Sequence, residues 1–295
     1  MMGLTLLSDL KFTTFVINNL LYLSPTRHML YVTDLRLTRG SPSGVFEHLS
    51  CFLPGLFALG AHLLPLDDLS SLGINYLGLA ADLAPEDREG YVTLSRYNLR
   101  DLHMWAAKGL TETCYLTYAD QPSGLCPDEI LLVPGGIPWM EVMEKWRTRG
   151  ARGPAPGLRR KEPVVIPLSE LDSDRKKHVE MDYWVRDGSY KLRPEVRQRV
   201  IVIYDQVTTD SYGQTIESLY LLWRTTGEHR WREYAWRIFE AIEKHTKTGS
   251  GYASVKIEGN GDIAQVDEMP RYVRFILLNK PFAEGSNLSF FLAET

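Results

Sequence analysis

Acidic residues beside prolines are the first candidates for chemistry in this chain. Glu195 ends the run Leu-Arg-Pro-Glu at 192–195, and Asp128 and Glu129 follow Pro127. Two carboxyl groups can share general acid–base work, in which one protonates a leaving atom and the other activates water. The alternative is that these acids begin helices, where the macrodipole favours a negative charge.

A histidine and three cysteines are the next candidates. His48 stands near the start of an apolar segment, 47–60, which predicts a buried segment that the internal Pro-Gly bends or breaks. The histidine is either a core residue bonded to backbone or a hydrogen-bonding pocket residue. Cys51, Cys114 and Cys126 are too widely spaced for a zinc site. They form either one disulfide and one free thiol, or three buried thiols.

The elements that position these residues are mainly helical. Ile216, Leu219 and Trp223 recur at helical spacing before Gly227, and a second apolar stripe follows from Trp231. This pattern predicts a helical hairpin over 215–244. The sequence also predicts a short strand over 29–33 and a helix that carries residues 102–113.

The composition is that of a globular protein. The chain has 295 residues, enough for one large domain or two ordinary ones, and 44% of them are hydrophobic. A net charge of −4 gives no reason to expect nucleic acid as a partner. No apolar run approaches the ~18 residues of a membrane span, and charged residues within 1–23 argue against a signal-peptide core. We therefore expect either a cytosolic protein or one whose targeting segment is missing.

Several motifs, taken in order, resemble one known family. They are His-Leu-Ser-Cys-Phe at 48–52, Glu-Thr-Cys-Tyr at 112–115, Gly-Leu-Cys-Pro-Asp-Glu at 124–129, Leu-Arg-Pro-Glu at 192–195 and Thr-Ile-Glu-Ser-Leu at 215–219. Together they resemble the class I α-1,2-mannosidases, glycoside hydrolase family 47. The resemblance covers about 17–295 and roughly the second half of the family's catalytic domain, whereas residues 1–16 are not assigned to it.

The resemblance implies an all-α fold, an incomplete (α/α) barrel of helical hairpins with short β-hairpins in the loops. It implies an inverting, calcium-dependent glycoside hydrolase that removes α-1,2-linked mannose from high-mannose N-glycans in the endoplasmic reticulum or Golgi. The N-glycan is then the partner, with no nucleic acid and no membrane span in this chain. The alternative is a truncated, inactive relative that only binds glycan or a partner, and mannose release by the purified chain separates the two.

The resemblance also implies roles for individual residues. Glu195 is the candidate base or water-orienting carboxylate, and Glu129 is favoured over Asp128 as the second active-site carboxylate. The family's disulfide corresponds to Cys51 and Cys114, which leaves Cys126 free, and no metal ligand is assigned. The residues that would line the mannose pocket are His48, Arg193, Glu217, Phe290 and Glu294.

Two segments, 196–214 and 271–288, each interrupt a family motif. Deleting them joins Glu195 to Thr215 and Pro270 to Ser289, which restores the motifs. We therefore hypothesise that both are introns read as coding sequence, and a mature transcript that retains them would refute this. The family's remaining catalytic acid, its aspartate and its calcium-binding threonine are expected to lie outside residues 17–295.

Overall fold

The computed structural model describes residues 2–36, 41–158, 181–192, 214–249, 252–257 and 263–265 of the chain. Helices dominate these ranges, and short turns of 3-10 or π helix connect several of them. The α-helices are α1 Met2–Phe15, α2 Leu53–Leu63, α3 Pro85–Leu94, α4 Leu99–Ala119, α5 Trp139–Thr148, α6 Gln214–Thr226 and α7 His229–Thr246.

Short strands lie between the helices and pair antiparallel. Within the described ranges they form three small sheets, with strand orders β2-β1-β5, β3-β4-β6 and β7-β8-β9. The strands are β1 Leu21–Leu23, β2 Leu30–Val32, β3 Val45–Glu47, β4 Glu129–Leu132, β5 Ile137–Pro138, β6 Tyr183–Asp187, β7 Ser189–Tyr190, β8 Val255–Ile257 and β9 Ile263–Gln265. The described part is thus mostly helical with short strands in its loops, as the family resemblance implied.

Helix α4 is the centre of the packing. It contacts α2, α6 and strand β2, and it is buried along most of its length from Leu102 to Tyr118. The strand approaches the helix at Gly109, where an added Cβ would lie 2.7 Å from Leu30. Burial on all sides is typical of a core helix, although the buried residues of α4 include polar ones such as Thr111, Glu112 and Thr117.

The predicted helical hairpin is confirmed as α6 and α7. The first helix ends at Gly227, whose φ of +72° lies in the left-handed region that glycine adopts without strain. Its N–H donates to the carbonyl of Trp223 at 2.8 Å. Trp231, Tyr234 and Ile238 of α7 are buried, so the predicted apolar stripe faces the core.

The segment at 47–60 differs from the prediction of a buried, broken helix. A 3-10 turn, His48–Phe52, leads directly into α2, and Pro54 lies in the first turn of α2, where its missing N–H costs no hydrogen bond. The proline therefore begins the helix instead of breaking it. Part of the segment is also exposed, since Leu49 and Leu56 are 37% and 46% accessible.

Helix α1 is the other difference, because the sequence assigned nothing to residues 1–16. Leu6 and Leu10 of α1 belong to the same core cluster as Leu102 and Leu110 of α4. Leu6 and Leu10 are four residues apart and therefore share one face of α1.

Candidate active site

Two distant motifs of the sequence meet where α6 begins. The Ser218 hydroxyl donates to the carbonyl of Cys51 at 2.6 Å and accepts from the amide N–H of Gly55 at 2.9 Å. Both interactions are at buried atoms, where unpaired polar groups are costly. Ser218 therefore ties the 215–219 motif to the segment that carries His48.

A disulfide holds the same segment on α4. Cys51 and Cys114 are bonded, with their Cα atoms 5.9 Å apart, whereas Cys126 is a buried free thiol. The structure therefore contains the pairing that the family resemblance implied. Burial raises the pKa of Cys126 to about 12, so this thiol is protonated and unreactive at neutral pH.

The disulfide also explains what His48 faces. His48 and Cys51 are three residues apart in a 3-10 turn, where such residues eclipse one another. Cys114 and Tyr118 are four residues apart on α4 and share one face of that helix. Bonding the two cysteines therefore brings His48 opposite Tyr118.

His48 lies in a buried polar cluster. Its Nε2 atom is 2.6 Å from the Tyr118 hydroxyl and 3.3 Å from Oγ1 of Thr215, the second residue of α6. The ring of Tyr190, in β7, is 5.8 Å from the imidazole centroid. The three partners come from three elements, and His48 itself is only 3% exposed. Its side chain is thus bonded to other side chains, not to backbone alone.

Asp128 lies next to this cluster. Its carbonyl accepts from the amide N–H of His48 at 2.8 Å, and its buried carboxylate accepts from Lys191 Nζ at 2.5 Å. That hydrogen bond raises the pKa of Lys191. Asp128 therefore connects the His48 segment with Lys191, the residue just before the Leu-Arg-Pro-Glu motif.

Glu129 is placed differently. It is the first residue of β4, and the side chains of Ile130 and Leu132 point into the core on the alternate face. Its carboxylate is 3.5 Å from Nε of Arg186 and is partly exposed. Glu129 pairs in the sheet with Glu47, the residue before His48, whereas the backbone carbonyl of Asp128 accepts directly from the His48 amide.

Glu217 carries a partly buried carboxyl group in the first turn of α6. Burial raises its pKa, and its buried Oε2 atom has no hydrogen-bond partner within the described part of the chain. An orphaned carboxyl oxygen of this kind is a candidate acceptor for a ligand hydroxyl. Its position in the first turn of α6 also agrees with the alternative role, in which the helix dipole favours a negative charge there.

The remaining predicted site residues lie outside the described ranges. They are Glu195, Arg193, Phe290 and Glu294, and the interruption at 271–288 and nearly all of that at 196–214 lie there too. Gln214, the last residue of the first interruption, is described and begins α6. The roles assigned to these residues remain predictions.

Tyr118, Tyr190 and Thr215 are cluster members that the sequence interpretation did not single out. Tyr118 could have been found from the motifs, because it lies one helical turn after Cys114. Nothing local in the sequence places Tyr190 beside His48, since that contact joins residues 142 positions apart only in the folded chain.

Comparison with known proteins agrees with the motifs. The model of glycosyl hydrolase family 47 matches residues 11–274. Mannosyl-oligosaccharide 1,2-alpha-mannosidase MNS3 of Arabidopsis thaliana is 26% identical over 258 residues, which are 88% of this chain and 28% of that protein. Mannosyl-oligosaccharide alpha-1,2-mannosidase IA of Drosophila melanogaster is 23% identical over 267 residues, 90% of this chain and 23% of that protein.

Among solved structures, the alpha-1,2-mannosidase from Trichoderma reesei aligns with 83% of this chain and 34% of that one, with 20% identity and a TM-score of 0.45. The chain thus spans about a quarter of the length of these curated relatives and a third of the solved chain. Because the family model matches well over half of the chain, the chain belongs to glycosyl hydrolase family 47.

Proposed function

We propose that this chain is an α-1,2-mannosidase that removes α-1,2-linked mannose from high-mannose N-glycans with inversion at the anomeric carbon. Membership of the family and the names of the relatives support the activity and the substrate class. The observation that carries the proposal is the junction of motifs at α6. Ser218 and Thr215 of one motif contact Cys51 and His48 of another, and Ser218 also bonds to Gly55 just beyond it, so the two motifs lie together in the fold.

The proposed chemistry divides the work between carboxyl groups. Inversion requires one acid to protonate the leaving oxygen and one base to activate water on the opposite face of the sugar. Glu195 is proposed as the base or water-orienting carboxylate. Glu129 is the second proposed active-site carboxylate, and Asp128 is its competitor because it is buried and bonded to the His48 segment.

The remaining proposed residues bind the sugar. His48 and Glu217 supply polar atoms at the start of α6, where burial raises the pKa of Glu217. Arg193 and Glu294 would bind hydroxyl groups. Phe290 would offer an apolar face to the sugar ring.

Calcium belongs to the proposal on the strength of the family alone. The ion prefers six to eight oxygen ligands, but the described residues include no cluster of three or more His, Cys, Asp or Glu side chains that could hold a metal. The described part of the chain therefore does not fit a calcium site by itself. No step of the proposed reaction is assigned to the ion.

The secretory pathway, in the endoplasmic reticulum or Golgi, is the proposed location. The Cys51–Cys114 disulfide supports it, because such bonds persist in oxidising compartments. The proposed partner is the N-glycan, and nucleic acid is not expected. No helix within the described ranges is long and apolar enough to cross a bilayer.

The proposal is tested with defined mannobiosides. The purified chain is incubated with α-1,2-, α-1,3- and α-1,6-linked mannobiose, and proton NMR follows the first anomer released. We expect cleavage of the α-1,2 linkage with β-mannose as the first product. Cleavage of another linkage, or α-mannose as first product, would contradict the proposal. Binding without cleavage would instead support an inactive, glycan-binding relative.

A further inference from the structure

We infer that Tyr118 is a positioning residue for His48, and that its hydroxyl holds the imidazole in one orientation and one tautomer. The inference rests on the proposed role of His48 in sugar binding. Tyr118 itself is not assigned any contact with substrate. It acts through the histidine.

The geometry of the pair carries the inference. The Tyr118 hydroxyl is 2.6 Å from Nε2 of His48, a short hydrogen bond between two buried groups. The two rings meet edge to face, with centroids 5.6 Å apart and planes at 66°. This arrangement combines a hydrogen bond with a favourable aromatic contact, so both fix the plane of the imidazole.

Tyr118 is itself held rigidly. It lies on α4 and is only 1% exposed, and the disulfide at Cys114 anchors the preceding turn of the helix to the His48 segment. The ring of Tyr190 packs against it at 6.1 Å. A residue that is fixed in this way can transmit its position to a neighbour, whereas an exposed hydroxyl could not.

The hydrogen bond also engages one particular ring nitrogen of His48. A neutral imidazole carries its proton on one nitrogen, and the partner of that nitrogen or of the other decides which one. The Nε2 atom is engaged by Tyr118, with Thr215 at the longer distance of 3.3 Å. Because Tyr118 engages Nε2, we expect it to decide which of the two ring nitrogens of His48 carries the proton.

The chain offers a matched control three residues earlier. Tyr115 is also buried on α4, and its hydroxyl also has a side-chain partner, Arg237 Nη1 at 2.9 Å. Its ring stacks on Tyr234, away from the histidine. Tyr115→Phe thus removes the same atom from the same helix without changing the His48 contact.

The test is NMR of the ring nitrogens in the full chain labelled with ¹⁵N-histidine, with the His48 signals assigned by their loss in His48→Gln. We expect one tautomer of His48 in the unsubstituted chain and in Tyr115→Phe, and a mixture or the opposite tautomer in Tyr118→Phe. A mixed tautomer in the unsubstituted chain would overturn the inference. So would an unchanged His48 spectrum in Tyr118→Phe.

Kinetics supply the second measurement. We expect Tyr118→Phe to lower kcat/KM for α-1,2-mannobiose about tenfold, the size of one lost hydrogen bond, while Tyr115→Phe changes it less than twofold. Equal kcat/KM values for the two variants would contradict the inference. If the unsubstituted chain hydrolyses nothing, the proposed function fails, and the NMR result alone still decides whether Tyr118 positions His48.

Discussion

Gly55 and Ser218 hold helices α2 and α6 in direct contact. The amide N–H of Gly55 donates to the Ser218 hydroxyl at 2.9 Å, and the same hydroxyl donates to the carbonyl of Cys51. A Cβ atom at Gly55 would lie 2.8 Å from the Ser218 oxygen and 3.1 Å from its Cα. The two helices can approach this closely only because position 55 has no side chain.

Gly55→Ala should therefore destabilise the protein. The added methyl group pushes against the Ser218 backbone and strains the hydrogen bonds at the helix junction, which we expect to cost about 1–3 kcal/mol. Gly60→Ala is the matched control on the same helix, because its nearest neighbour would be 3.9 Å from the new Cβ. That change should be neutral or stabilise by up to ~1 kcal/mol. Equal denaturation midpoints for both variants would contradict this account of the junction.

Removing the disulfide should also cost stability. Cys51 and Cys114 are separated by 63 residues, so their bond restricts a long loop in the unfolded chain. We expect the double variant Cys51→Ala/Cys114→Ala to lose about 4 kcal/mol of unfolding free energy, and Cys126→Ala to lose about 1 kcal/mol. Alkylation of the unreduced, denatured chain should label Cys126 alone. Labelling of all three cysteines would show that the bond is absent.

A buried ion pair fixes the turn between β1 and β2. Both terminal nitrogens of the Arg27 guanidinium donate to the Asp120 carboxylate, at 2.5 and 3.1 Å, and both side chains are buried. Asp120→Ala leaves the guanidinium without that carboxylate, which should cost about 3–5 kcal/mol. Glu141→Ala, which removes an exposed pair with Lys145, should cost less than about 1 kcal/mol. Chemical denaturation measures the unfolding free energy of both variants. Similar losses for Asp120→Ala and Glu141→Ala would contradict the expected difference between the buried and the exposed ion pair.

His103 should make the stability depend on pH. Burial lowers its pKa to about 4, although its Nδ1–H donates to the carbonyl of Leu99 at 2.6 Å and opposes the shift. The unfolded chain, with a pKa of about 6.5, binds the proton first as the pH falls. The contribution of His103 to the unfolding free energy is therefore fully present above about pH 6.5. It is lost progressively down to about pH 4, by about 3 kcal/mol.

The pH prediction is checked with His103→Leu. The unfolding free energy of this variant should fall less steeply between pH 7 and pH 4.5 than that of the unsubstituted chain. Identical slopes for the unsubstituted chain and His103→Leu would contradict the role assigned to His103.

The local parts of this fold were predictable from the sequence. Gly227 and the apolar stripe of 215–244 predict the hairpin, since a helix stop and helical periodicity are local signals. Strand pairing is not local. Strand β4 pairs with β6 about 50 residues later, and nothing in either strand specifies the other. Helix α1 escaped prediction because Phe12 and Phe15 are exposed, which obscures the stripe formed by Leu6 and Leu10.

The candidate site was predictable in part. The motifs identified His48 and the cysteine pair, and helical spacing from Cys114 could have added Tyr118. The choice between Asp128 and Glu129 needs the fold, because it depends on where β4 begins. Strand alternation turns Glu129 towards Arg186, while Asp128, just before the strand, is buried with Lys191.

The central claim is tested most directly by mannose release from a high-mannose N-glycan by the purified chain, in calcium and in excess chelator. The account predicts release in calcium, little in chelator and none from Glu195→Gln, whereas Glu141→Gln, at an exposed position on α5, releases mannose at the original rate. Equal release by the unsubstituted chain and Glu195→Gln would contradict it, as would no release in calcium.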